Sequence, residues 1–194
     1  MFDFETLNRA RIAHGVLMSL AVFLFSIGAV LLRLLKGPVN VKVHIVLQSF
    51  GVTILIGGFG LGLWVQEGMF IEWSDFHQRL GLALFTLTMC MPLAGAFSHW
   101  HFRRNGRKTI VGYLHVWIGR VLIITNLING GLGLRLAEAN HAGEIVYAAL
   151  TVTVALSYFC MLAWWYFWRG RTCKLVHGNA LGGVELVQAG IENN

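Results

Sequence analysis

Five runs of about twenty apolar residues divide this chain, and few folds admit them. A run of that length crosses roughly 30 Å of hydrocarbon as a helix. In lipid the backbone must satisfy its own hydrogen bonds, which a helix does within one segment. The runs extend from about Ile12 to Leu35, Val43 to Val65, His77 to Phe97, Leu114 to Leu134 and Ile145 to Trp168. Only 12% of the 194 residues are charged and 56% are hydrophobic, where soluble domains carry about 25% charged residues. A chain this short has too little interior to hide so much apolar surface from water. An ordinary soluble domain, a disordered chain and a nucleic-acid binder are excluded, despite the net charge of +6. The expected fold is all-α and transmembrane, with about five spanning helices.

The first run has no small-residue cleavage site after it, so it reads as a retained helix and not a signal peptide. Cys90, Cys160 and Cys173 are odd in number and scattered, which fits neither a disulfide framework nor a zinc site. Short connections make consecutive helices antiparallel neighbours. The side holding the N-terminus then carries Arg9, Arg11 and Arg135. The opposite side carries Arg33, Lys36, Lys42, Arg103, Arg104, Arg107, Lys108, Arg169, Arg171 and Lys174. Cytoplasmic loops are the cation-rich ones. The N-terminus is therefore expected outside or in a lumen, and the C-terminus in the cytoplasm. Residues 1–11 form an external segment, 12–168 the transmembrane domain and 169–194 a loosely structured cytoplasmic tail. Trp164, Trp165, Tyr166, Phe167 and Trp168 fall where a cytoplasmic aromatic belt belongs.

Four of the eight histidines share one placement. His14, His44, His77 and His115 each lie within a turn or two of the start of a successive run. Ionisable groups at membrane depth are costly and usually functional. Because the helices alternate in direction, His14 and His77 approach the external face, and His44 and His115 the cytoplasmic face. In a four-helix bundle packed in order, the first and third helices are diagonal, as are the second and fourth. Two diagonal imidazole pairs result, at opposite depths, each suited to the two axial positions of a haem iron. This predicts a four-helix di-haem core.

A haem disc needs room, and the glycines supply a pattern. Gly28 follows His14, and Gly58 follows His44, by fourteen residues, about 40° off the same helix face. Gly95 follows His77, and Gly133 follows His115, by eighteen residues, back in phase. Each helix thus has a ligand at one end and a glycine at the other. The runs GGFGLG and NGGLG widen the gap on the external side. Arg79 and Arg120 lie inside runs, where they either pair with haem propionates or snorkel to the interface. Asn126 points inward near mid-membrane and either bonds helices together or lines a route between haems. Gln48, one turn after His44, is placed to support that ligand. His99 and its neighbour His101 either help an anionic donor dock or are simply solvated.

The local motifs are AHGVLM at His14, VHIVLQ at His44, FHQRLG at His77 and LHVWIGR at His115, the last followed by NLINGGLGL. In these the chain resembles the cytochrome b561 superfamily, and in particular the modules that fungi and plants often join to an extracellular DOMON domain. The resemblance covers about residues 10–168. It implies two b-type haems with bis-histidine ligation, His14 with His77 and His44 with His115, held in a bilayer. It implies an oxidoreductase moving single electrons across the membrane. The donor is cytoplasmic, in many members ascorbate; the external acceptor is ferric iron or an oxidised ascorbate radical. Lys42 resembles the lysine that helps bind cytoplasmic ascorbate, and Arg103 and His99 lie in the same cationic region. Ascorbate-type members have six spans, a Ser-Leu-His-Ser-Trp pattern at the third ligand and a histidine in the loop before it. This chain has five spans, SDFHQRLG, and no such loop histidine. It is expected to be a free-standing module or to use a separate extracellular redox partner. Three other readings stay open: a quinol-linked cytochrome b, a small transporter or channel in which the histidines serve a proton or metal path, and a purely structural membrane subunit.

Overall fold

The computed structural model of the chain describes residues 3–35, 39–69, 73–161, 163, 164 and 167. The expected tail 169–194, Lys36, Cys173, Trp165, Tyr166 and Trp168 lie outside the described residues. Five helices are long and apolar enough to cross a membrane, and no strand occurs among the described residues. They are α1 (Phe4–Leu34), α2 (Val39–Gly68), α3 (Phe76–Asn105), α4 (Ile110–Leu136) and α5 (His141–Met161). The architecture is all-α and transmembrane, as the five apolar runs require. Residues through Val154 pack as one compact unit, and Ala155 begins a second, whose described residues through Met161 are helical.

The helices outrun the apolar stretches, because hydropathy marks the hydrocarbon depth while capping chemistry marks the helix end. α1 starts at Phe4, not near Ile12, so most of the expected N-terminal segment is helix. Asp3 caps it: its carboxylate accepts from the Thr6 hydroxyl at 3.0 Å and from the Thr6 N–H at 3.2 Å. These bonds hold the Asp3 carboxyl below the ordinary carboxylate range,. Asp75 caps α3 by accepting the His77 N–H at 2.7 Å. Thr109 caps α4 by accepting the Gly112 N–H at 3.1 Å,. At the far end of α3, Gly106 takes a left-handed φ of 65° and bonds back to the Phe102 carbonyl, as glycine does without strain.

α1 packs chiefly on α2, and α3 chiefly on α4. These two hairpins meet along thinner α1–α4 and α2–α3 seams, and the backbones of neither diagonal pair approach closely. The bundle therefore runs α1, α2, α3, α4 around a ring, which puts α1 opposite α3 and α2 opposite α4. The buried core lies at mid-depth: Ala21, Phe25 and Leu55, ringed by Met18, Val52, Ile54, Phe85, Met89 and Ile123. Phe59 of α2 stacks flat on Phe85 of α3, with centroids 3.9 Å apart, and ties the hairpins together there. The outer surface is apolar, with Ile45, Val46, Phe50, Leu93, Ile124 and Ile128 all exposed. Such a surface is stable against lipid and not against water.

Candidate functional site: two facing histidine pairs

Each diagonal of the bundle carries one histidine pair. His14 of α1 and His77 of α3 face each other at the end holding the N-terminus, hereafter the first face. Their ring centroids are 6.2 Å apart and their planes cross at 86°. His44 of α2 and His115 of α4 meet at the opposite, second face, with centroids 6.4 Å apart and planes at 83°. Two imidazoles on opposite sides of one metal ion, with metal–nitrogen distances of about 2.0 Å and ring centres about 1.1 Å further out, would put the centroids about 6.2 Å apart. Both gaps have that size. The four rings come together as the antiparallel reading requires, although no helix places more than one of them.

Backbone carbonyls orient the rings. His14 Nδ1 lies 2.7 Å from the Gly58 carbonyl oxygen, and His77 Nδ1 lies 2.9 Å from that of Asn129. His44 Nδ1 lies 3.1 Å from the Gly28 carbonyl. A carbonyl only accepts, so these nitrogens carry the protons and each Nε2 keeps a free lone pair. Such a bond to the far nitrogen fixes the tautomer of a metal-binding histidine and raises its basicity. His115 Nδ1 has no bond of full geometry; the carbonyl turned toward it is that of Met91.

The glycines follow from this docking. Gly62, Gly95 and Gly133 each stand one turn after one of these carbonyls, those of Gly58, Met91 and Asn129. A Cβ at Gly62 would sit 2.8 Å from His14 Cε1, one at Gly133 2.7 Å from His77 Cε1, and one at Gly95 3.0 Å from His115 Cε1. For these three rings the neighbouring helix thus offers a carbonyl and then removes its own side chain to admit the imidazole. At Gly28 a Cβ would meet Gln48 Nε2 at 2.6 Å, and at Gly58 the Met18 sulfur at 3.0 Å. Sequence spacing singled out Gly28, Gly58, Gly95 and Gly133 as room for a disc. The structure gives them a task beside imidazoles and packed neighbours, and adds Gly62. The missed signal was the interval of four residues between an acceptor and a glycine on the facing helix.

The remaining candidates divide. Gln48 donates to the Phe25 carbonyl at 3.0 Å, tying α2 to α1 one turn beyond His44. Asn126 spends its amide on the Leu122 carbonyl of its own helix at 2.8 Å, not on a neighbouring helix. Arg120 lies over the ring of Trp117, 4.9 Å from its centroid, and Arg79 is exposed. Lys42, His99 and Arg103 are exposed at the second-face ends of α2 and α3. His101 meets Asn105 at 2.9 Å. No hydrogen bond or ion pair joins Lys42, His99 and Arg103 to one another. A cavity of about 410 Å³ opens beside His77, lined also by Asp75, Phe76, Leu132, Arg135, Leu136 and Glu138. Sequence reading gave Arg135 and Glu138 no part in a site.

The donor set also limits what can bind. Among the described residues no group of three or more His, Cys, Asp or Glu is placed to hold a metal ion. A bare zinc ion between two histidines would lack half of its usual four ligands. A metal that brings four in-plane donors with it needs two axial imidazoles and no more. The residues present fit a haem.

Two curated proteins of Arabidopsis thaliana are similar to this chain. One is named a cytochrome b561 and DOMON domain-containing protein, 28% identical over 168 residues, which cover 81% of this chain and 39% of that protein. The other is named probable transmembrane ascorbate ferrireductase 4, 28% identical over 139 residues, which cover 69% of this chain and 56% of that protein. The chain therefore spans between two fifths and three fifths of the length of these relatives. No family model matches, and no solved structure matches.

Proposed function

From a chain related to the cytochrome b561 proteins, we propose a transmembrane b-type cytochrome that binds two haems and moves single electrons across a membrane. The observation that carries this reading is the pair of imidazole gaps, 6.2 and 6.4 Å between centroids, on opposite diagonals and at opposite ends of the bundle. Haem iron, when bound, supplies a one-electron couple that no side chain here offers. The chain's own part is binding and exclusion. Nε2 of His14 and His77 holds one group, and Nε2 of His44 and His115 the other. Carbonyls of Gly58, Asn129 and Gly28 hold three of the four rings in place, and the mid-depth core of Ala21, Phe25 and Leu55 keeps water out between the pairs.

The second face carries Lys42, Lys108 and the arginines that end α3, so the positive-inside rule makes it cytoplasmic. Lys42, His99 and Arg103 there draw an anionic donor, with ascorbate the first candidate; ferric iron or an oxidised ascorbate radical accepts electrons outside. The DOMON-containing relative supports a separate extracellular redox partner. Purified protein from haem-replete cells should be red, with a low-spin spectrum and about two haems per chain. His14→Ala should remove one haem and leave the other. A colourless folded preparation, or loss of both haems on that substitution, would refute the reading.

A further inference from the structure

We propose that Arg135 is the cation that holds the carboxylate edge of the haem bound by His14 and His77. The assignment rests on the two-haem reading. Haem b carries two propionate carboxylates, and a guanidinium fork matches a carboxylate in shape and charge. Sequence position favours Arg79 and Arg120 for that task, and the structure favours neither. Arg120 is stacked on Trp117 of its own helix. Arg79 follows His77 by two residues, about 200° around α3, and so points away from the ring's face.

Arg135 is placed otherwise. It lines the cavity beside His77 and is the one cation among its lining residues. It is exposed, as Arg79 is, so the cavity lining is what separates the two. No ion pair holds its guanidinium among the described residues. Phe76, Leu132 and Leu136 supply apolar walls suited to a macrocycle edge. Of the two carboxylates in the lining, Asp75 accepts the His77 N–H at the start of α3. Glu138 holds a left-handed φ of 48° at the end of α4, where its N–H bonds to the Arg135 carbonyl and the Ala139 N–H to that of Leu134. Glycine is favoured at that position, so the Glu138 carboxylate is kept there against a backbone preference. It would repel propionates, which leaves Arg135 as the one cation in the lining that draws them in.

Potentiometric titration of the full chain in detergent tests this, with the His14→Ala protein identifying which step belongs to the second face. Arg135→Gln should lower the midpoint of the first-face haem alone, because losing a nearby cation favours the oxidised iron. Arg135→Lys should keep most of the native value, and Glu138→Gln should move the same midpoint upward. Arg79→Gln should change neither. Loss of only the first-face haem in Arg135→Gln, with retention in Arg135→Lys, also supports the assignment. Unchanged midpoints in a two-haem Arg135→Gln protein would overturn it and leave the two-haem reading standing. Equal shifts of both midpoints, or a shift caused by Arg79→Gln, would overturn it as well. A wild-type chain without haem overturns both.

Discussion

A side chain added where an imidazole touches a glycine has nowhere to go. Gly133→Leu should therefore expel the His77 ring and lose one haem, and Gly95→Leu should do the same at His115. The haem-to-protein ratio should fall by about half in each case. Gly57 is the control, since a Cβ there meets nothing within 4 Å. Gly57→Ala should keep both haems and gain up to about 1 kcal/mol of helix stability, readable as a raised melting temperature. The near-perpendicular rings in both pairs add a spectroscopic expectation. Both ferric centres should give strongly anisotropic low-spin resonances, and the more rhombic pattern of parallel rings would contradict the geometry. The motif-bearing histidines stood out in the sequence because a polar group in an apolar run is conspicuous. Their carbonyl partners did not, because every residue has a carbonyl and only packing selects one.

Helix ends decide where the ligands sit. Asp75 both caps α3 and bonds the backbone of His77 itself, so Asp75→Ala should cost about 1 kcal/mol and loosen the first-face pair before the second. A melting curve followed in the haem band, with the first-face component released earlier, checks this. α5 is fastened to α4 by Tyr147, whose hydroxyl donates to the Leu127 carbonyl at 2.5 Å beside the side-chain-free Gly130. Tyr147→Phe removes one half-buried hydrogen bond and should lower stability by about 1 kcal/mol with both haems retained. The existence and number of these helices were plain in hydropathy alone. Their ends were not: apolar character fades at the headgroups, while Asp3, Asp75 and Thr109 set the helix starts by local hydrogen bonds.

Across the entire bundle, charge and shape separate. The exposed cations of the second face should make reduction by an anionic donor fall with ionic strength, since screening shortens the reach of surface charge. Arg103→Gln should slow ascorbate severalfold and leave a neutral quinol analogue unaffected. Stopped-flow reduction in vesicles of known orientation measures both.

The transmembrane class and the four histidines with their depths were determined by sequence alone, because both rest on one-dimensional facts: apolar length, and position within a run. Diagonal partnership followed from the sequence only on the condition that the helices pack in order, and the tertiary structure supplied that order. Which arginine stands beside His77 was decided only in three dimensions, as were which carbonyl holds each ring and which glycine admits it. Each depends on the rotation and sliding of one helix against its neighbour. A rotation of one residue, about 100°, would exchange Arg135 for a leucine without altering the hydropathy of the span.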